Sequence, residues 1–282
     1  MKSPTELAAD QAAYWNGPGG QGWLASYARL ERSLLDIGKT VLALAAAKSG
    51  ERVIDIGCGN GGTTEALAQA VGPTGHVLGV DISEILVGAA RARRVPNATF
   101  VVGDAAAHPF EAASYDLVFS RFGVMFFGDP VVAFRNLQQA LKPTGRLAFV
   151  CWRTTQENPW GLVPVRAAAP FLPPLPKPGP EDPGQYAFGD PARVERILKE
   201  SGFGAIAIEP LDVPIWMGAD AAEVVANAGR FGPLARAFAD ATPDQIEKAK
   251  AAIATVLKPH ESAAGVVLPG ACWLVAAKAS AG

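Results

Sequence analysis

Apolar positions along this chain fall into two rhythms. Between about residues 35 and 152, short runs that are apolar almost without interruption alternate with stretches in which apolar residues recur every three or four positions. The runs are "RVIDIG" (52–57), "HVLGVDIS" (76–83), "ATFVVGDA" (98–105), "YDLVFSRF" (115–122) and "RLAFVCW" (146–152). A strand with one wet face alternates, whereas a strand covered on both faces does not, so these runs predict a buried, mostly parallel sheet. The intervening segments predict helices. "TTEALAQAVG" (63–72) stops at a glycine, "SEILVGAARARR" (83–94) opens on Ser83 as a cap, and "DPVVAFRNLQQALKPTG" (129–145) has Asp129 as cap, Pro130 in the first turn and a Pro-Thr-Gly stop. Strand and helix alternating at this spacing build a doubly wound α/β sheet.

Past residue 152 the rhythm breaks. Residues 158–191 are dense in proline and cannot be one crossover helix; a loop of this length inside a domain reads as a lid. A helix at 191–203, a strand at 205–213, helices inserted over 219–259 and a last strand at 271–278 follow. The expected division is therefore an N-terminal helical cover (1–34), a Rossmann-like core (35–152), a Pro-rich lid with its helix (153–204), and a C-terminal strand pair (205–282) interrupted by the helical insertion.

Composition narrows the function classes. The chain has 282 residues, 49% of them hydrophobic, which is enough for a sizeable core. A formal net charge of −2 offers no field for a nucleic-acid backbone. Three cysteines, Cys58, Cys151 and Cys272, are widely spaced, so neither a zinc site nor a disulfide framework is expected. The first twenty residues lack the apolar centre of a signal peptide, and no apolar run is long enough to span a bilayer, so the expected location is cytoplasmic.

The chemistry concentrates where strands end. Gly57-Cys58-Gly59-Asn60-Gly61-Gly62 joins a strand to a helix, and glycines there let the backbone turn tightly against a ligand. The spacing also fits the G-x-G-x-x-G of dinucleotide enzymes, so an NAD-dependent reductase is one reading. Asp55 argues for another: a carboxylate beside the loop repels a pyrophosphate and attracts an ammonium group. Asp81, ending the second strand, suits ribose hydroxyls in either case. Asp104 and Ala105 end the third strand, where an adenine edge can be read. Ser120, Arg121 and Phe122 end the fourth.

These motifs taken together, D-I-G-C-G-N-G, an acid at the next strand end, G-D-A, D-L-V-F-S and L-K-P-T-G-R-L, resemble the class I S-adenosylmethionine-dependent methyltransferases, within them the small-molecule branch that includes the ubiquinone/menaquinone-biosynthesis C-methyltransferases. The resemblance covers about residues 35–152. It implies a seven-stranded sheet with an antiparallel last strand and lid insertions, and S-adenosylmethionine as cofactor. Gly57, Cys58, Gly59 and Gly61 would pass along its methionyl and ribose parts, with Asp55 near the amino group. Asp81 would hold the ribose, Ile82 would pack on the adenine, Asp104 and Ala105 would read its edge, and Ser120 and Phe122 would line the floor near the sulfonium. Tyr14 and Trp15, in "QAAYWNGPGGQGW" (11–23), would cover it. His108 departs from the quinone-type pattern, which has Leu before Pro-Phe.

Methyl transfer needs a base only when the acceptor must lose a proton. His108, Tyr186 and Arg121 are the side chains singled out for substrate chemistry, each with a plain alternative: a turn residue, a lid residue, or an ion-pair partner of Asp129 or Glu157. Cys58 reads as a small turn residue without an activating partner. Phe122, Met125, Phe126, Phe127, Trp152, Trp160, Phe171, Phe188, Trp216 and Met217 divide between core and an apolar pocket, so the expected partner is a small hydrophobic substrate. Acceptor atom, pathway and a homodimer stay open, as does a non-catalytic adenosylmethionine-binding role.

Overall fold

The computed structural model describes residues 2–174, 179, 181–230 and 232–279. Residues 175–178 and 180 of the expected lid lie outside them. Four helices come first: α1 (Pro4–Trp15), α2 (Pro18–Ala25), α3 (Tyr27–Ser33) and α4 (Leu35–Ala45). The alternating core follows as β1 (Arg52–Ile56), α5 (Gly62–Val71), β2 (His76–Asp81), α6 (Glu84–Ala92), β3 (Ala98–Val102), β4 (Tyr115–Arg121), α7 (Pro130–Ala140) and β5 (Leu141–Trp152). Then come α8 (Pro159–Ala168), α9 (Pro191–Glu200), β6 (Phe203–Gly218), α10 (Ala221–Asn227), α11 (Gly232–Ala239), α12 (Pro243–Leu257), the two-residue β7 (Glu261–Ser262) and β8 (Gly265–Ala279).

The expected caps are in place. Ser83 Oγ accepts the Leu86 N–H at 3.2 Å, and Asp129 accepts the Val132 N–H at 3.0 Å. α5 ends on Gly72 at φ 67°. α7 stops at Ala140, earlier than the Pro-Thr-Gly signal, because Leu141 and Lys142 already belong to β5. The Pro-rich stretch is not helix-free: Pro159 opens α8 and Pro164 sits inside it.

The strands order as β3-β2-β1-β4-β5-β8-β6, with β7 paired to the free side of β8. Pairing is parallel from β3 to β5 and antiparallel at β5–β8 and β8–β6. The central strands are covered on both faces, as their runs predicted: Val53, Ile54, Leu117, Val118, Phe119, Phe149 and Val150 are fully buried. Each such side chain contributes about 1.5–3 kcal/mol. The sheet reverses its winding between β1 and β4, where open α/β sheets hold their ligands beyond the carboxyl ends of the strands.

β6 and β8 are longer than the apolar runs indicated. β5 ends at Trp152, which lies opposite Cys272 of β8, itself opposite Leu211 of β6. The remaining residues of β6, 212–218, therefore overhang the carboxyl end of the sheet by about 20 Å, paired only with β8. Pro214 and Pro269 face each other in this overhang, where each strand has an edge without a ladder partner to supply. A second core forms on it from Ala168, Met217, Ala221, Val224, Leu234, Ala249, Ile253, Leu257, Val266 and Leu268, drawing in α8 and α10–α12.

Candidate active site

The glycine turn is shaped by its own backbone. Gly57, Gly59 and Gly61 stand at φ 65°, 55° and 84°, where a side chain is strained. Gly57 also touches a second loop: a Cβ on it would lie 2.6 Å from the Cα of Gly123, just past β4. Ser120, fully buried, fastens these loops together. Its hydroxyl donates to the Ile56 carbonyl at 2.8 Å and accepts the Gly123 N–H at 3.0 Å. Ser120 thus supports the floor from beneath. Cys58 packs with Val87, Ala90 and Phe100, and burial pushes its thiol well above the usual range.

Two carboxylates bracket the turn. Asp81 accepts the Gly59 N–H at 2.8 Å and the Ser83 N–H at 2.9 Å. Burial raises its pKa, and these N–H groups oppose the rise. Asp55 is fully buried. Its Oδ2 accepts the hydroxyls of Thr63 (2.8 Å) and Thr64 (2.7 Å) at the start of α5, while its Oδ1 has no partner among the described residues. Burial pushes Asp55 up to about 6, against the pull of the two hydroxyls and the positive charge of Arg121.

The N-terminal helices cover the turn. Trp15 packs edge-on against Trp23 and Phe126, and its carbonyl accepts the Ser83 hydroxyl at 2.7 Å. Asn16 donates to the Ile82 carbonyl at 3.0 Å and accepts the Glu84 N–H at 2.8 Å. Trp23 Nε1 lies 3.9 Å from where a Cβ on Gly59 would stand. From α3, the Tyr27 hydroxyl lies 2.6 Å from the corresponding point on Gly62 and accepts from Arg93, which also pairs with Glu65 at 2.7 Å and donates to the Asn60 carbonyl. Tyr14 goes elsewhere: its hydroxyl accepts the Gly232 N–H at 3.1 Å, and Arg236 lies over its ring. Trp23, Tyr27 and Glu31 were not foreseen, because a short helix carries no motif that says which face it lays on a neighbour.

The other singled-out residues are dispersed. Arg121 pairs with Glu31 of α3, a partner neither Asp129 nor Glu157 provides. Glu157 instead pairs with Arg153, which also binds Asp212. Phe122 adopts φ 66°, an uncommon conformation for an aromatic residue, and stacks on Trp152 at 4.5 Å. Trp160 leans on Trp152 in turn, at 4.7 Å. Asp104 accepts the Ala106 N–H at 2.9 Å, and Asn136 donates to the carbonyls of Ala105 and His108, tying that turn to α7. His108 packs on Phe110, and burial lowers its pKa. Tyr186 is tucked against Gly161, its hydroxyl accepting from Gln185 at 3.3 Å; burial pushes it far above its usual range.

With this geometry in view, residues 53–145 match a family model described as a methyltransferase domain. This segment is thus similar to S-adenosylmethionine-dependent methyltransferase domains. It is 39% identical over 120 residues to a demethylmenaquinone methyltransferase of Staphylococcus aureus, a match covering 42% of this chain. The chain spans about half the length (49%) of the curated relatives it matches. Among solved structures, the domain's fold aligns with a Streptomyces coelicolor geranyl diphosphate C-methyltransferase bound to Mg2+, geranyl diphosphate and S-adenosylhomocysteine (15% identity, 99% of this chain and 100% of that one, TM-score 0.55). It aligns also with a Haemonchus contortus phosphoethanolamine N-methyltransferase bound to phosphomonomethylethanolamine and S-adenosylhomocysteine (20% identity, 87% and 53%, TM-score 0.53). At such identities these likenesses carry the fold alone. No helix among the described residues is long and apolar enough to cross a membrane.

Proposed function

We propose that this chain is a methyltransferase that moves the methyl group of S-adenosylmethionine to a small, largely apolar acceptor, at oxygen or carbon rather than nitrogen. The observation that carries the reading is the glycine turn: bare main chain, with the partnerless Oδ1 of Asp55 beneath it and Asp81 at its side. That donor and acceptor set fits a ligand with an ammonium group and vicinal hydroxyls. Gly57, Gly59 and Gly61 would hold the aminoacyl and ribose parts, Asp55 would attract the ammonium, and Asp81 would accept from the ribose hydroxyls. Ile82, Asp104 and Ala105 would meet the base. Trp15 and Trp23 would close over it and exclude water. Bound there, S-adenosylmethionine supplies an electrophilic methyl group on a good leaving group.

The protein's own work is then alignment. Phe122, just past β4, and Trp152, at the end of β5, stack on each other at the carboxyl end of the sheet and would form the apolar wall of the acceptor site. Holding reactants in line is worth roughly 7–11 kcal/mol in favourable model systems. Of the residues singled out for substrate chemistry, Arg121 serves the cover through Glu31, and Tyr186 can donate a hydrogen bond but not act as a base at neutral pH. His108 is neutral at pH 7, its pKa lowered by burial, and is the proton acceptor to test where the acceptor must be deprotonated. The apolar acceptor is supported by the aromatic pair and by the 39% identity to a demethylmenaquinone methyltransferase over 120 residues.

The test is calorimetric titration with S-adenosylmethionine and S-adenosylhomocysteine, followed by a screen of labelled methyl transfer to apolar hydroxylated, prenyl and amine compounds. Micromolar binding and labelling of a hydroxylated or prenyl compound are expected. Absence of binding by either nucleoside removes the reading; labelling confined to amines removes the acceptor assignment.

A further inference from the structure

The overhang of β6 and β8 lies beyond the same strand ends that carry the glycine turn, and α3 bridges the two. One side of α3 presents Tyr27 and Glu31 to the turn. Its other side meets the end of β6: Ser33 donates to the Trp216 carbonyl, and Arg29 donates to the Met217 carbonyl at 3.2 Å. Arg29 is half-buried here, and its Nε is fully enclosed with no hydrogen-bond partner. One turn back along the helix, Ser26 is 4% exposed and its hydroxyl also has no partner. Arg230, after α10, reaches the same corner and donates to the Ala25 carbonyl at 3.4 Å.

Arg29 Nε and Ser26 Oγ thus keep unspent hydrogen-bonding capacity, and the exposed Arg230 is anchored next to them in sequence, at the Ala25 carbonyl. Among the described residues, neither Arg29 nor Arg230 forms an ion pair. Burial lowers the pKa of Arg29; nearby Glu223 opposes that shift, and Arg230 adds to it more weakly. The Glu223 carboxylate, which accepts the Ala219 N–H at 2.6 Å, forms no ion pair with Arg29. A buried guanidinium nitrogen and a buried hydroxyl without partners make a fold less stable unless a further polar or anionic group joins them, and the exposed Arg230 adds positive charge to the same corner. Guanidinium groups hold carboxylate or phosphate oxygens in paired hydrogen bonds.

We propose that Arg29, Arg230 and Ser26 seat an anionic group, a carboxylate or a phosphate, carried by the methyl acceptor. The acceptor is then amphipathic: its apolar body runs along the overhang toward Phe122 and Trp152, and its charged end anchors between the cover and the cap. Arg29 and Arg230 are specificity residues that touch substrate without taking part in the transfer. The inference rests on the methyltransferase reading.

The experiment uses the full chain saturated with S-adenosylhomocysteine and two matched probe pairs: 4-hydroxybenzoate against 4-hydroxybenzamide, and geranyl phosphate against geraniol. Calorimetry should give at least tenfold tighter binding for one charged probe than for its neutral partner, and the pair that responds identifies the anion. Arg29→Gln and Arg230→Gln should each erase that preference while S-adenosylhomocysteine affinity stays within twofold; Arg29→Lys should keep part of it. Retained S-adenosylhomocysteine affinity certifies that the variants fold, and if Arg29→Gln fails that check, Arg230→Gln and Ser26→Ala carry the test. Equal binding of charged and neutral probes, no binding of either charged probe, or an undiminished preference in the folded variants overturns the anion seat and leaves the methyltransferase reading standing. Failure of the unaltered protein to bind S-adenosylhomocysteine overturns both.

Discussion

The half of the molecule that carries the glycine turn and the half that overhangs it are built on different terms. In the first, strands are covered on both faces, and β1 buries Val53, Ile54, Asp55 and Ile56 in succession. Backbone meets backbone at Gly57 and Gly123, and polar groups are assigned one by one: Ser120 to two loops, Asp81 to two N–H groups, Asp55 to two hydroxyls. In the second, β6 alternates half-buried and exposed positions along an edge over most of its length, and a small apolar core of mostly aliphatic side chains holds α8 and α10–α12 to its end. On the proposed reading, the first half would tolerate little substitution, because its ligand would be met by main chain. The second needs only suitable volume in its core, which on the same reading would leave it free to vary with the acceptor. The methyltransferase match over residues 53–145 ends before the overhang begins.

That contrast can be broken most directly at Gly57. A valine there collides with Gly123 and must hold φ near 65°. Binding of S-adenosylmethionine should fall by more than a hundredfold by calorimetry, with a backbone penalty of about 1–3 kcal/mol in denaturant unfolding. Near-normal affinity would mean that the turn is not where the ligand lies. Asp81→Ala should weaken S-adenosylmethionine by at least tenfold, since it removes the proposed ribose acceptor and frees the Gly59 N–H that shapes the turn.

Asp55 separates binding from stability. Its carboxyl titrates near 6 in the fold against an ordinary 3.8, so between these values the folded chain holds a proton that the unfolded chain has lost. The group therefore costs nothing below about pH 4, its cost grows as pH rises toward 6, and above that the full penalty applies, about 3 kcal/mol at most. Asp55→Asn should make the ligand-free protein more stable at pH 8 but not at pH 4, by urea unfolding, while S-adenosylmethionine binding weakens several-fold. Equal stability of the two proteins at pH 8 would remove the buried-charge argument. The smallest expected effect on cofactor is in the other half: Ile253→Ala, in the core of the overhang, should cost about 2–4 kcal/mol of stability and leave S-adenosylmethionine affinity unchanged. A matching loss of affinity would show that the two halves are one energetic unit.

The legible parts are those where local rules suffice. Buried strands show themselves as unbroken apolar runs, and the caps at Ser83 and Asp129 are side chains acting within one turn of their own helix. The glycine turn is legible because few residues other than glycine accept three left-handed conformations in five positions. The cover was harder. Tyr14 and Trp15 are adjacent and equally aromatic, yet Trp15 joins Trp23 and Phe126 beside the turn while Tyr14 meets Arg236. Neighbouring residues on a helix point about 100° apart, and only docking decides which direction is inward. The partner of Arg121 was illegible for a similar reason, since Glu31 is ninety residues away and comes near only once α3 has settled.

The sequence by itself determined the doubly wound core and the chemistry at its strand ends, because burial on two faces, positive φ and an acid at a strand terminus each leave a mark on the residues that bear them. Only the tertiary structure decided what lies over those ends. The length of the β6–β8 overhang, the second core on it and the corner of Arg29, Ser26 and Arg230 arise from contacts between distant segments, and such contacts are chosen by shape and solvent exclusion among many sequence-compatible alternatives.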